Sequence, residues 1–124
     1  MDDGAVPAEA SGCAFGLFGD NVVTCIFIDG PDHSRFVDEI DGTAEVLDST
    51  RTLQVCIHGP ASANLEPHCS PFQVMHPGDS PLHTERWFPE RVMPAGTYCT
   101  RTWRKNDDGS KPTLIGHACK DVHS

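Results

Sequence analysis

Thr97-Tyr98-Cys99-Thr100-Arg101-Thr102-Trp103-Arg104, the cluster Asn106-Asp107-Asp108-Gly109-Ser110 and the return run from Thr113 to Val122 form the stretch whose reading decides the fold. β-branched and aromatic residues fill the first segment, and turn formers fill the interruption, which predicts a β-hairpin. Facing residues of an antiparallel hairpin share one midpoint, and for Cys99 and Cys119 it is Gly109, inside the turn. Cys13 and Cys25 centre on Gly19, and Cys56 and Cys69 centre between Ser62 and Ala63 in a Pro-bounded loop. Facing strand positions bring Cα atoms within disulfide range. The spacing therefore predicts the bridges Cys13–Cys25, Cys56–Cys69 and Cys99–Cys119. The rival pattern joins two sheets through a pair such as Cys25 and Cys99, as in immunoglobulin domains.

The 124 residues fit one domain. Apolar residues make up 38% of the chain, with ten prolines and eleven glycines, so the core is lean and cross-links matter to it. The six cysteines sit singly, without the tight CxxC pairs that present two ligands to one zinc ion. A disulfide framework implies an oxidising compartment, so the expected localisation is secreted and extracellular. Met1-Asp2-Asp3-Gly4-Ala5-Val6-Pro7 reads as a mature N-terminus behind an initiator Met. No apolar run approaches the length of a membrane span.

Charge is unevenly spread. Residues 1–50 hold eleven acids and one base, Arg35, whereas the remainder holds seven acids and eight bases. A net charge of −9 disfavours nucleic acid and anionic membrane as partners. It allows an acidic face that steers a basic protein.

Other segments complete an all-β reading, a disulfide-stapled antiparallel β-sandwich of immunoglobulin-like type. Residues 1–12 are small, acidic and aperiodic and read as a flexible tail; 13–124 form the domain. Val22-Val23-Thr24-Cys25-Ile26-Phe27-Ile28 is apolar on both faces and predicts a central buried strand. Asp41-Gly42, between Phe36–Ile40 and Thr43–Leu47, predicts a hairpin turn, although that register opposes Asp38 to Glu45. Leu53, Val55 and Ile57 alternate inward, Cys69 to Met75 makes a return strand, and Trp87 to Val92, interrupted by Pro89, is an edge.

Pro94-Ala95-Gly96-Thr97-Tyr98-Cys99 resembles the P-x-G-x-Y approach to a late strand in many secreted β-sandwiches. The acidic tail, the paired cysteines and the run from Ala95 to Trp103 before an Asp-Gly turn make the chain similar to small secreted actinobacterial proteins. Among these it resembles the adaptor subunits of umbrella toxin particles. That resemblance implies a non-enzymatic link between the other subunits of an extracellular toxin complex.

The residues themselves offer no catalytic set and no cofactor site: there is no GxSxG elbow, no phosphate loop and no HxH, HxxxH or HExxH among seven histidines. His58 and His68 flank the second cysteine pair and could approach across its loop, but no metal is expected. The paired carboxylates Asp38/Glu39 and Asp107/Asp108 read as exposed. Candidate partner-binding residues are Asp38, Glu39 and Asp41 on the acidic side and Trp87, Trp103, Arg101 and Arg104 as interface anchors. The expected partner is another secreted protein. Two alternatives remain: a hydrolase inhibitor presenting the loop Gly59 to His68, and a carbohydrate-binding β-sandwich with Trp87 and Trp103 as its platform.

Overall fold

Residues 10–17, 20–31, 35–79 and 83–122 are described by the computed structural model, and all of its regular structure apart from short 3₁₀ turns is β-strand. The strands are β1 (Ala10–Phe15), β2 (Val22–Asp29), β3 (Phe36–Val37), β4 (Glu39–Val46), β5 (Arg51–His58), β6 (His68–Cys69), β7 (Gln73–Met75), β8 (His83–Trp87), β9 (Arg91–Val92), β10 (Gly96–Arg104) and β11 (Thr113–Val122). One sheet runs β1-β2-β4-β8 and a second β11-β10-β5-β6, with β7 also on β5; β3 and β9 form a separate ribbon. Every pairing is antiparallel.

The three predicted disulfides form. Cys13–Cys25, Cys56–Cys69 and Cys99–Cys119 each join directly facing residues, with Cα atoms 4.1, 4.0 and 4.1 Å apart. The immunoglobulin-type link between sheets is therefore not made. Tyr98 is fully buried and donates its hydroxyl to the Pro94 carbonyl at 2.7 Å, which closes the Pro94–Tyr98 corner on itself.

The core lies between the sheets in two parts. One contains Ile26, Ile28, Ile40, Ile57, Trp87 and Tyr98; the other contains Val22, Val46, Leu53, Val55, Met75 and Ile115. Between them, along the same strands, lie Thr24, Gly42, Thr100, Thr102 and Gly116, all buried. Small residues here bring the sheets close. A Cβ on Gly42 would stand 2.8 Å from the Thr100 side chain, and one on Gly116 would collide with Thr24.

That contact corrects the reading of Asp41-Gly42 as a turn. Gly42 pairs with Ile26 on one side and Glu85 on the other, in the middle of continuous β4. It is glycine because the opposite sheet leaves no room for a side chain. Three further boundaries shift. The tail expected over 1–12 lies outside the described residues as far as residue 9, but Ala10, Ser11 and Gly12 pair with Ile28, Phe27 and Ile26. β2 is central yet keeps one open face, where Phe27 is 41% exposed. The return strand expected from Cys69 to Met75 splits into β6 and β7 around Ser70-Pro71-Phe72. There the Ser70 hydroxyl accepts the Val55 N–H at 3.1 Å, and Pro71 has no N–H with which to continue the ladder.

Candidate functional site

Alternation along the strands gives each sheet one outward face, and the two differ in chemistry. On the β1-β2-β4-β8 sheet, Phe27, Asp41 and Arg86 form one row across β2, β4 and β8, and Cys13, Cys25, Thr43 and Thr84 form the next. Phe15 and Val23, paired with each other, and Glu45, opposite Val23, continue the face. Asp29 and Glu39 close it at the other end. Phe15 is 76% exposed, an unusual place for an aromatic ring on a strand. Among the described residues, four carboxylates, Asp29, Glu39, Asp41 and Glu45, thus share this face with Phe15, Phe27 and the base Arg86.

Arg86 holds the centre of the acidic group. Its guanidinium lies 3.0 Å from a Glu39 oxygen and 3.4 Å from an Asp41 oxygen, and 5.8 Å from the ring centroid of exposed Phe88. One guanidinium does not neutralise two carboxylates. A hydrogen bond shared with Asp41, partial burial and the Asp41 charge together hold the Glu39 carboxyl above its ordinary value, against the pull of Arg86. Glu39 is half-buried where the sequence reading has it exposed, whereas Asp38, Asp107 and Asp108 are exposed as expected. The pair that interacts is Glu39/Asp41, two apart on one strand face, and exposed Asp38 lies outside it.

The outward face of the second sheet carries His58, Cys99 and Cys119 in one row, with Cys56, Arg101 and His117 in the next. Gln54, half-buried Trp103 and Leu114 follow, after a bulge between Thr102 and Trp103. This face is neutral to basic. Burial and the charges of Arg101 and His117 push the His58 imidazole below its ordinary pKa.

The sequence-predicted anchors therefore separate. Glu39 and Asp41 lie on the acidic face, with Asp38 just beside it, and Arg101 and Trp103 on the opposite face. Trp87 is corrected: it is 7% exposed and its indole stacks on His68 at 4.2 Å, so it fills the core and offers no platform. Arg104 is corrected too, because it binds Asp20 at 3.2 Å. Asp20 also receives Arg51 at 3.3 Å, so the three residues tie the chain before β2 to β5 and β10. His58 and His68 do not converge. His68 faces Ile57 on the inner side, whereas His58 lies on the outer side. Phe15 and Phe27 are the site residues that sequence reasoning missed; exposure on a strand apolar on both faces has no local signal.

No helix of the described residues is long and apolar enough to cross a membrane. Comparison of the chain with protein-family models, curated proteins and solved structures finds no match.

Proposed function

We propose that the protein is a secreted, non-enzymatic protein-binding module whose contact surface is the outward face of the β1-β2-β4-β8 sheet. The observation that carries this reading is the placement of exposed Phe27 directly opposite Asp41 of the incompletely neutralised Glu39–Asp41 pair, with exposed Phe15 farther along the same face in the row of Glu45. Apolar rings supply the buried centre of an interface, and the carboxylates choose a basic partner and speed its approach. The Cys13–Cys25 bridge pins β1 to β2 within this face, so little ordering entropy opposes binding there. The resemblance to toxin-particle adaptors fits a partner of this kind, a larger secreted subunit.

Two variants test the proposal. Captured partners from culture supernatant are compared for the wild type, for Phe27→Ser with Asp41→Lys, and for Trp103→Ser with Arg101→Glu. Loss of about tenfold or more in affinity only for the first variant is expected. Loss only for the second would move the interface to the opposite sheet. Turnover of a substrate by the purified protein would overturn the non-enzymatic reading.

A carbohydrate-binding reading loses Trp87 to the core. The inhibitor reading keeps one support: the loop closed by Cys56–Cys69 carries a 3₁₀ turn, Ala61–Ala63, and Asn64 at φ 54°, with Ala61, Ser62 and Asn64 exposed.

A further inference from the structure

Each of the three disulfides joins directly facing residues of adjacent strands, and their surroundings differ. Exchange with a thiol requires access to one sulfur and a stabilised thiolate on the other. Cys13–Cys25 lies on the acidic face, beside the row that holds Asp41, and Cys25 is nearly buried. Negative charge there opposes both an incoming thiolate and the one expelled. In Cys56–Cys69, Cys56 is 3% exposed, so attack on Cys69 would expel a thiolate into a buried position.

Cys99–Cys119 differs on each count. Both cysteines are partly exposed. The His117 Nε2 atom lies 3.3 Å from the Cys119 sulfur, and the ring is exposed. Arg101 faces His117 from β10, and His58 faces Cys99 from β5. Among the described residues paired across β10 and β11 on this side, the acid is Asp121, whose carboxylate is engaged by the Thr97 hydroxyl at 2.6 Å. The sulfur, nitrogen and sulfur of Cys99, His117 and Cys119 lie within 4.8 Å of one another. Both sulfurs are spent in the bridge, so the cluster is not a cation site; what it offers is a proton donor beside a leaving group.

We propose that Cys99–Cys119 is a thiol-exchange site, at which an external thiol forms a mixed disulfide with Cys99. The incoming thiolate attacks the Cys99 sulfur, and a new S–S bond forms as the Cys99–Cys119 bond breaks. The electron pair of that bond passes to the Cys119 sulfur, where His117 donates a hydrogen bond or its proton. A second thiolate attacks the sulfur of the adduct, releasing the external disulfide and leaving Cys99 as the thiol. The net result is two-electron reduction of this bridge with oxidation of two external thiols.

The test uses the intact oxidised protein and excess glutathione at neutral pH. Samples are quenched and alkylated over time, then mapped by mass spectrometry. The expected result is glutathione on Cys99, with this bridge opening about tenfold faster than the other two. His117→Gln is expected to slow opening of Cys99–Cys119 several-fold and leave the other two rates unchanged, which serves as the control for folding. Equal rates at all three bridges, earlier opening of another bridge, adducts on Cys119 in place of Cys99, or no effect of His117→Gln would each overturn the proposal.

Discussion

The hydroxyl oxygens of Thr24 on β2 and Thr102 on β10 meet at 2.8 Å between the two sheets, buried on all sides. Gly116 makes the meeting possible, because any side chain there would occupy the place of Thr24. A hydrogen bond joins the sheets where no disulfide does. Thr102→Val leaves the Thr24 hydroxyl without its partner and should cost about 1–3 kcal/mol. Thr24→Val with Thr102→Val should recover much of that loss, since both polar atoms are then gone. Urea unfolding of the single and double variants checks this through the coupling energy.

Gly42→Ala should destabilise by about 1–3 kcal/mol, because the new methyl meets the Thr100 side chain at 2.8 Å and Ile57 at 3.1 Å. Thr100→Ser in the same chain removes the Cγ2 atom and should return part of the stability. Thermal melts of the two variants give the answer.

Asp48 provides a pH signature. Arg51 and Asn21 hold its carboxyl down at about 2, from an ordinary 3.8. A depressed folded pKa contributes stability above the unfolded value, and the contribution is lost as pH falls through the folded one. The melting temperature of Asp48→Asn should therefore lie below wild type by a constant amount above pH 4. The two curves should converge as pH falls toward 2.

Glu39 has the opposite sign. Its raised pKa, caused first by the hydrogen bond shared with Asp41, means that ionising it costs stability as pH rises above the ordinary 4.5. Glu39→Gln should melt higher than wild type at pH 7 and match it below pH 4. The same variant should weaken partner association, as expected where a surface holds unfavourable charge for binding.

Association with a basic partner should slow with salt, because the screening length falls from about 10 Å at 0.1 M to about 3 Å at 1 M. Charge reversal at Asp38, Glu39 and Asp41 should slow it more than reversal at Asp107 and Asp108, which lie in the turn between β10 and β11. Association rates against ionic strength for both variants decide the matter.

What could be read from the chain was whatever depends on neighbours in sequence. The cysteine pairs obey a symmetry about their own turns, so Gly109 located Cys99 opposite Cys119 without tertiary knowledge. Leu53, Val55 and Ile57 alternate, and their burial follows. Gly42 could not be read this way, because Thr100, 58 positions on, is what excludes a side chain there. Nor could Trp87 be told from Trp103. Each lies on a strand, and only tertiary packing separates core from surface: Trp87 stacks on His68 on the inner side, whereas Trp103 shares the outer side of β10 with Arg101. The acidic face was half legible: its charge is in the composition, but its phenylalanines are set by which side of β1 and β2 lies outward.

Each of the three bridges connects neighbouring strands of the same sheet, one in the first sheet and two in the second, with sequence separations of 12, 13 and 20. An oxidised chain that loses its core therefore keeps three short loops already closed, β1 to β2, β5 to β6 and β10 to β11. Closing loops is the slow, entropically opposed part of assembling a β-protein. Refolding after mild denaturation begins from registered hairpins, and the remaining search is for the pairings that no bridge fixes: β2 with β4, β4 with β8, β5 with β7 and β10, and β3 with β9. Recovery speed is then built in by the same covalent pattern that leaves the two sheets free to part.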